Sequence, residues 1–397
     1  MNDFPALAQT VVGYAPMIDR QRAVTALRLT ISPVRPDVLP DAASLLAALA
    51  DYWPVDAGRL LLNIPNEALL AQAMRLEPAL HLMLEVPAFM AADPAQIDAL
   101  AALHARGNSI LVQGRPLSPL PPEALGCLAY SIIDLADDRR DGLPPPGSQI
   151  RRVPHLQTGV RSPAEMADAF ARGAIAVLAW PFGDAPTVRT GKITRAAELQ
   201  SIIELINRVD RHENIDRLEA VLKNDPTLAF RLMRYINSPA FGLRVEVSSF
   251  RHAIMLLGHD RLKRWLALLL VSGSRDMEMK PLVFAAVRRG LLMDELGRDN
   301  ADEEQRSELF ISGVFSLLDR MLRQPFDDLL RAIPVADTVR AALVDGGGPH
   351  APYLNLVRAV ESGSAFDIRD TSDALLMAPS EVNRALLRAL LAARQLD

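Results

Sequence analysis

Short apolar runs alternate with helical patterns through the first half of this 397-residue chain, and this alternation restricts the fold more than any other feature. Strands that alternate with helices form βα units, in which the strands lie parallel. The first half is therefore predicted to be an α/β domain with a largely parallel sheet, open or closed into a barrel. The runs read as buried strands are TVVGY, ALRLTI, LLLNI, LHLMLEV, SILVQG, YSIIDLA and IAVLAW.

Several helices between these runs have clear starts. Asp41 and Asn66 each precede a helical pattern, and Ser162 with Glu165 forms a capping box before another. The stretch 141–147, DGLPPPG, carries three prolines that forbid a helix, so one crossover is predicted to be a loop.

The second half changes character near residues 190–194. From Ala196 onward almost every segment has helical periodicity, beginning again at Asp225 and Pro226, which suit a cap and a first helical position. We therefore predict two domains: an α/β domain over residues 1–190 and an all-helical domain over residues 195–397.

Composition excludes some classes of protein. Half of the residues are apolar and 23% are charged, as in ordinary globular proteins, and the net charge of −5 favours neither nucleic acid nor an acidic membrane surface. A single cysteine, Cys127, indicates a reducing compartment. The start lacks the pattern of a signal peptide, and the longest apolar run, Trp265–Val271, is too short to span a bilayer. The expected location is the cytoplasm, without membrane insertion.

The pair His259-Asp260 is the strongest candidate for metal chemistry. A binuclear phosphohydrolase needs several His and Asp side chains converging from different helices. Only His252 lies near this pair in the sequence, whereas Gly258 can end one helix and Asp260 can cap the next. We favour the capping interpretation and keep the metal site as the alternative.

Three other motifs have simpler explanations than a site. Residues 346–348, Gly-Gly-Gly, lack a following Gly-Lys-Ser/Thr and indicate a turn. Gly191-Lys192 lacks the upstream glycine of a P-loop and indicates a linker. The cluster Arg261, Lys263 and Arg264 is typical of the solvated face of a helix, with a nucleic-acid patch as the alternative.

The second half resembles the HDOD domain, the HD-related output domain. The stretches NDPTLAFRLMRYINSPAFG, VSSFRHAIMLLG and RLKRWLALLL carry the resemblance. This family keeps the helical scaffold of HD phosphohydrolases but lacks their metal-ligand set, which supports the capping interpretation of His259-Asp260. The signature positions, structural in role, are Asn237, Ser238, Phe241, Gly242, Ser249, Ala253, Leu257 and Gly258.

The first half resembles a much-altered EAL domain, the (β/α) barrel of cyclic-di-GMP phosphodiesterases, with YAPMIDRQRAVTALRLTI as its first hairpin. An EAL-like barrel followed by HDOD is a bacterial signalling architecture, and the chain resembles it end to end. The resemblance implies that Asn63, Glu85 and Asp134 remain from the family's motif positions.

Most other motif positions differ from the family. The signature Glu-Ala-Leu falls at Arg28-Leu29-Thr30, so a carboxylate ligand is replaced by a cation. The remaining changes, in chain order, are Ala88 for the second glutamate, Gln113-Gly114-Arg115 for Asp-Asp-Phe, Ile132 for the catalytic lysine, Thr158 for a later glutamate and Leu178-Ala179 for Gln-Gly.

A phosphodiesterase of this type needs hard cations held by several carboxylates and an amide oxygen. We therefore expect a protein that is not an enzyme, needs no cofactor or metal, and regulates signalling by binding an unidentified protein partner. A cyclic-di-GMP receptor that binds without hydrolysis is a less favoured alternative, because arginine can pair with phosphate. An active phosphodiesterase or HD-type phosphohydrolase is the third.

Overall fold

The computed structural model of the chain describes residues 5–117, 119–138, 153–182, 196–224, 250–272 and 277–394. The chain forms two compact units: the first contains residues 1–184 and 358–384, and the second contains residues 185–357 and 385–397. The division predicted from the sequence, at 1–190 and 195–397, stays a prediction.

The first unit is built on a closed eight-stranded barrel with strands in sequence order. β1 pairs antiparallel with both of its neighbours, β2 and β8, while the strands from β2 to β8 pair parallel with one another. The predicted (β/α) barrel and its opening hairpin are confirmed. The strands are β1 Thr10–Asp19, β2 Val24–Pro33, β3 Arg59–Asn63, β4 Leu82–Pro87, β5 Ile110–Gln113, β6 Leu128–Asp134, β7 His155–Thr158 and β8 Ala176–Leu178.

Strand β7 is missing from the list of apolar runs because Leu156 is its one large apolar residue. His155 and Gln157 alternate with it and are nevertheless buried. His155 Nε2 lies 3.0 Å from Gln157 Oε1, and Gln157 Nε2 donates to the backbone oxygen of Ile133 at 2.9 Å. Buried polar groups are tolerated when they are hydrogen-bonded in this way.

The helices of the barrel unit begin where capping residues predict. Asp41 accepts a hydrogen bond from the Ser44 backbone N–H, and Ser162 accepts one from that of Glu165. The Glu165 carboxylate accepts from the backbone N–H of Arg161 instead of closing the box on Ser162. The helices before β8 are Pro5–Ala8, Ala42–Tyr52, Glu67–Met74, Ala88–Ala91, Pro94–Ala105, Pro122–Cys127 and Pro163–Ala171.

An apolar layer fills the barrel interior. Side chains alternate between the two faces of a strand, so each strand contributes every second residue to the interior. The layer consists of Ala26, Leu61, Met83, Leu111, Ile132, Leu156, Ala176 and Leu178, with Met17 and Tyr130 packed against it. This layer forms the packed core of the barrel and supports the side chains nearer the carboxyl ends of the strands.

Residues 358–384 belong to the barrel unit although they lie at the other end of the sequence. Asn383 is buried and makes three hydrogen bonds to the chain around the start of β1. Its Oδ1 accepts from the Val12 backbone N–H at 3.1 Å, and its Nδ2 donates to the Leu7 and Thr10 backbone oxygens, both at 2.8 Å. No local pattern in the sequence indicates this return.

The second unit is helical over the residues that the structure describes. Helix Phe250–Ser272 is interrupted at Gly258, which has φ 70° and ψ 178°, a conformation that glycine adopts without steric cost. Gly258 therefore separates two helical halves, as predicted. The further helices of this unit are Ala196–Asp210, Ile215–Asn224, Lys280–Leu296, Glu303–Phe315, Leu318–Leu322, Phe326–Ala332 and Asp337–Arg340. Helices Ala351–Ser362 and Pro379–Arg394 contain residues of both units, and helix Ala365–Ala374 belongs to the first unit.

Two glycines allow helices Lys280–Leu296 and Glu303–Phe315 to cross closely. A Cβ on Gly290 would lie 2.4 Å from Val314 Cγ2, and a Cβ on Gly313 would lie 2.6 Å from the Arg289 backbone. Real Cβ atoms do not approach so closely, so side chains at these positions would separate the helices.

The solvated-face interpretation of the cluster at 261–264 is wrong for one member. Arg264 lies 4.4 Å from the centre of the Phe310 ring and pairs with Asp294 at 2.8 Å, where Arg306 also pairs at 3.0 Å. Arg261 is more exposed and pairs with Glu303, and Lys263 pairs with Asp210. Arg264 is therefore part of the helical packing.

Several sequence predictions fall outside the described residues. These are the signature positions Asn237, Ser238, Phe241, Gly242 and Ser249, the proline loop at 141–147 and the Gly191-Lys192 motif. Ala253 lies within helix Phe250–Ser272, and Leu257 is buried there with 6% of its surface exposed. Within the described ranges, no helix has the length and apolar character needed to cross a membrane.

We predict that Asn383→Ala lowers the free energy of unfolding by about 2 kcal/mol or more, because it leaves buried backbone groups unpaired. Asn383→Asp should cost more, since its carboxylate would face the Leu7 and Thr10 carbonyl oxygens. The measurement is urea unfolding followed by circular dichroism. Phe366→Ala is the control in the same segment, because Phe366 is 77% exposed. Equal stability of the Asn383 variants and the control would contradict the assignment of this segment to the barrel unit.

Candidate ligand site at the barrel mouth

A polar layer lies one step above the apolar layer in the barrel. In each strand from β2 to β7, a polar residue follows the apolar-layer residue by two positions toward the carboxyl end. The two residues therefore point to the same face. The members of this layer are Arg28, Asn63, Glu85, Gln113, Asp134 and Thr158. Functional sites of parallel barrels lie at this end, where the strands meet the βα loops. The three predicted remnants, Asn63, Glu85 and Asp134, therefore belong to one layer.

Arg28 and Glu85 form a bidentate ion pair within this layer. Arg28 Nε donates to Glu85 Oε1 at 2.8 Å, and Arg28 Nη2 donates to Glu85 Oε2 at 2.6 Å. The Glu85 side chain is fully buried and that of Arg28 is 14% exposed. A planar guanidinium matches a carboxylate in this geometry and satisfies both of its oxygens.

The pair keeps Arg28 charged. Burial lowers the pKa of Arg28, but attraction to Glu85 and hydrogen bonds with it raise the pKa by more, so the net pKa is above its ordinary value. The cation predicted at the altered signature position and the retained carboxylate thus lie together, and Arg28 is the partner of Glu85.

Three other polar residues of the layer, Asn63, Asp134 and Thr158, also have hydrogen-bond partners. Asn63 Nδ2 donates to Thr30 Oγ1 at 3.3 Å. Asp134 accepts from Thr158 Oγ1 at 3.1 Å and from the Ala136 backbone N–H at 2.9 Å. These bonds hold the side chains that line the mouth in fixed orientations.

Gly159 is a site residue that the sequence reasoning missed. It has φ +75°, and a Cβ there would lie 2.7 Å from both carboxylate oxygens of Asp134. Glycine is therefore required for Asp134 to lie against this turn. A lone glycine after a strand was the one available signal in the sequence.

A cleft of about 650 Å³ opens over β4 to β7. Arg115 is exposed within it, and the apolar side chains of Phe89 and Leu117 are 58% and 106% exposed on the lining. Its lining residues are Pro87, Ala88, Phe89, Ala92, Gln113, Gly114, Arg115, Leu117, Asp134, Asp137 and Thr158. Over the described residues, the cleft therefore combines carboxylates with Arg115 and the exposed apolar side chains of Phe89 and Leu117.

Three other motif positions are buried and are not among the residues that line the cleft. Ile132, at the position of the family's lysine, is fully buried in the apolar layer, as is Leu178 with 3% exposure. Ala179 is buried as well. Among these changed positions, Gln113-Gly114-Arg115, Ala88 and Thr158 line the cleft.

The described donors do not fit the pair of divalent metals that the family implies. Glu85 uses both oxygens on Arg28. Within the described part of the chain, no group of three or more His, Cys, Asp or Glu side chains is arranged to hold a metal ion. His259, the other residue considered for a metal site, lies in the helical unit, where its ring centre is 5.0 Å from that of His212.

The helical unit contains a Ser-His-Glu arrangement that the sequence did not reveal. Ser312 Oγ lies 3.4 Å from His350 Nδ1, and His350 Nε2 lies 3.5 Å from Glu308 Oε2. Burial lowers the pKa of His350 more than nearby Glu308 raises it. Because Ser312 is fully buried, a substrate carbonyl cannot reach its hydroxyl, and the arrangement ties helices together.

Comparison with known families assigns the helical half. Residues 196–321 match the model of the HDOD domain. The chain therefore contains an HDOD domain, and the resemblance to an EAL-like barrel followed by HDOD is confirmed.

Two curated proteins resemble part of the chain. Cyclic di-GMP phosphodiesterase CdgJ of Vibrio cholerae serotype O1 is 27% identical over 184 residues, which is 43% of either chain. The uncharacterized protein YuxH of Bacillus subtilis strain 168 is 28% identical over 171 residues, 41% of either chain. The similarity thus spans less than half the length of these curated relatives.

Two solved structures also resemble part of the chain. The EAL enzyme Bd1971, in a form that binds cAMP and cyclic-di-GMP, is 13% identical with a TM-score of 0.28, over 43% of this chain and 60% of that one. The EAL-like domain protein YdiV is 10% identical with a TM-score of 0.30, over 44% and 92%. Both TM-scores are low, so the fold description rests on the strands themselves.

The prediction that the chain is not an enzyme needs correction. A relative that shares 27% identity over 184 residues is named a cyclic di-GMP phosphodiesterase. The prediction counted carboxylates at motif positions only, and that count omitted Asp137, which lines the same cleft as Asp134. Counting donors by position does not measure activity.

We predict that Arg28→Met lowers the free energy of unfolding by about 3–5 kcal/mol, because it leaves the Glu85 carboxylate buried without its partner. The double variant Arg28→Met, Glu85→Met should recover most of this loss, since two apolar side chains of similar volume replace the pair. Urea unfolding of the wild type, the two single variants Arg28→Met and Glu85→Met, and the double variant gives the coupling energy. Additive losses would show that the two side chains do not depend on each other.

Proposed function

We propose that this chain is a regulatory protein of cyclic-di-GMP signalling that acts by binding another protein at the barrel mouth. The observation that carries the proposal is the exposure of Phe89 and Leu117, at 58% and 106%, on the lining of one cleft. Large apolar groups that remain exposed together commonly mark a surface that another molecule covers.

The chemistry around these two side chains suits a protein partner. An aromatic side chain at the centre of an interface provides much of the binding energy, while polar groups at the rim provide specificity. Phe89 supplies such an anchor, and Arg115 and Asp137 on the same cleft can pair with charges of either sign. The fixed polar layer beneath them gives the surface a rigid base.

The comparisons supply the link to signalling. A relative over 43% of the chain is named a cyclic di-GMP phosphodiesterase, and residues 196–321 match the HDOD domain, the HD-related output domain. These similarities support a place in the same signalling network, while the partner-binding role rests on the cleft.

We expect the double variant Phe89→Ser, Leu117→Ser to lose a specific protein partner that the wild type retains. Chemical crosslinking in the native cell, followed by mass spectrometry, should identify crosslinks from the cleft in the wild type that the variant lacks. Val55→Ser is the matched control, because Val55 is 75% exposed and does not line the cleft. Identical crosslink sets in all three proteins would refute the proposed surface.

A second candidate function is the binding of cyclic-di-GMP in the same cleft. The observation that favours it is the exposed Arg115 on the same lining as Gln113, two side chains that offer donors for a phosphate group. A volume of about 650 Å³ is also in the range of small-molecule pockets.

For this candidate we predict that Arg115→Ala weakens cyclic-di-GMP binding by about tenfold or more, the usual effect of losing a charged hydrogen bond. Calorimetric titration of the purified full chain measures it. Arg59→Ala is the control, because Arg59 is exposed at the start of β3, the opposite end of the strand from the mouth. Equal affinity of all three proteins would contradict the assignment. Hydrolysis is measured in the same samples with Mg²⁺ or Mn²⁺ added.

A further inference from the structure

A short connection from the far end of the sequence lies on the inner face of the barrel hairpin. We call residues 361–364, Glu-Ser-Gly-Ser, the junction segment; they join helices Ala351–Ser362 and Ala365–Ala374. The segment belongs to the same compact unit as the barrel. Its position matters because the strands it contacts also form the mouth.

The strand register shows which face the junction segment contacts. Met17 pairs with Ala26, and both contact the apolar layer inside the barrel. Gly13 lies four residues before Met17 and pairs with Thr30, so both point to the interior at the level of the mouth. Thr30 in turn pairs with Asn63 of the polar layer.

Two glycines bring the segment into contact with this face. A Cβ on Gly13 would lie 2.5 Å from Gly363 Cα and 2.9 Å from the Val360 backbone oxygen. Gly363 has φ +70°, and a Cβ there would meet Thr30 Oγ1 at 3.5 Å. Only glycine at position 13 lets the backbone of the junction segment lie this close to β1. Gly363 adopts the positive φ with which the segment turns there.

One indole N–H joins the segment to the barrel. Trp180, just beyond β8, donates from Nε1 to the Tyr14 backbone oxygen at 3.2 Å and to the Glu361 backbone oxygen at 3.0 Å. The Trp180 and Tyr14 rings meet edge to face with centroids 5.2 Å apart. The segment is therefore held by backbone fit and one shared donor.

The open cleft lies on the other side of the mouth. Its lining residues come from β4 to β7 and the loops that follow them, and include none from β1, β2 or β8. The strands that the junction segment contacts are those that the cleft leaves out. Among the described residues, the β4–β7 side of the mouth thus carries a cleft, whereas the β1–β2 side is in contact with the junction segment.

We infer that the junction segment is an internal plug that restricts access to the β1–β2 side of the barrel mouth. A ligand enters over β4 to β7 and reaches the face formed by Gly13 and Thr30 only after the segment withdraws. The plug thereby regulates how much of the mouth a ligand can use. This inference rests on the proposed function only for the identity of the ligand, not for the occlusion itself.

Thiol labelling tests the occlusion without any ligand. The background is Cys127→Ala with Thr30→Cys, so that the introduced cysteine under the segment is the single thiol. Adding Gly13→Ala should push the segment away and raise the rate of labelling by a bulky maleimide about tenfold, as local opening becomes easier. Gly126→Ala is the matched control, because a Cβ there has no neighbour within 4 Å.

Trp180→Phe provides a second route if Gly13→Ala does not fold. It keeps an aromatic ring but removes the N–H that Tyr14 and Glu361 share, so labelling should again accelerate. Hydrogen exchange of amides 361–365 should increase in both variants, while strands β3 to β5 keep their protection. Faster exchange without faster labelling would overturn the inference, as would unchanged exchange and labelling in both variants.

Titration with cyclic-di-GMP separates this inference from the second candidate function. If the released variants label faster and also bind the nucleotide more tightly than the Gly126→Ala control, the plug regulates that ligand. If they label faster while no form of the protein binds the nucleotide, the occlusion is supported and the second candidate function is wrong.

Discussion

The ion pair between Arg28 and Glu85 determines what the barrel mouth can contain. A carboxylate with no exposed surface needs a partner, and the Arg28 guanidinium, in the same interior layer but two strands away, supplies both hydrogen bonds. The pair is neutral as a unit and sits directly on the apolar layer. The charged side chains that line the cleft are instead those near the ends of β5 and β6: Arg115, Asp134 and Asp137.

Much of the barrel could be predicted from the sequence because its information is local. Apolar runs gave seven strands, and capping residues such as Asp41 and Asn66 marked helix starts that the structure confirms. Strand β7 was missed because its polar residues His155 and Gln157 are buried and hydrogen-bonded, which a hydrophobicity pattern cannot register. The site layer follows a rule that is readable in sequence, a polar residue two positions after each interior apolar residue, once the strands are known.

The rest depends on contacts between residues far apart in the chain. The pairing of Arg28 with Glu85 spans 57 positions, and that of Val12 with Asn383 spans 371. Neither has a periodic or compositional signal. The same reason explains why Arg264 was assigned to a solvated face, since its aromatic and acidic neighbours, Phe310 and Asp294, come from other helices. The enzyme prediction failed for a different reason, because a motif count was treated as a measure of activity.

The barrel unit uses residues from both ends of the chain, and this has a consequence during synthesis. Ribosomes release a protein from its amino end, and domains generally fold in that order. Here the amide of Asn383, which satisfies the backbone at the start of β1, leaves the ribosome after residues 185–357 of the helical unit. The first strand of the nascent barrel therefore stays incompletely bonded until Asn383 emerges, and most of the helical unit is made during that interval.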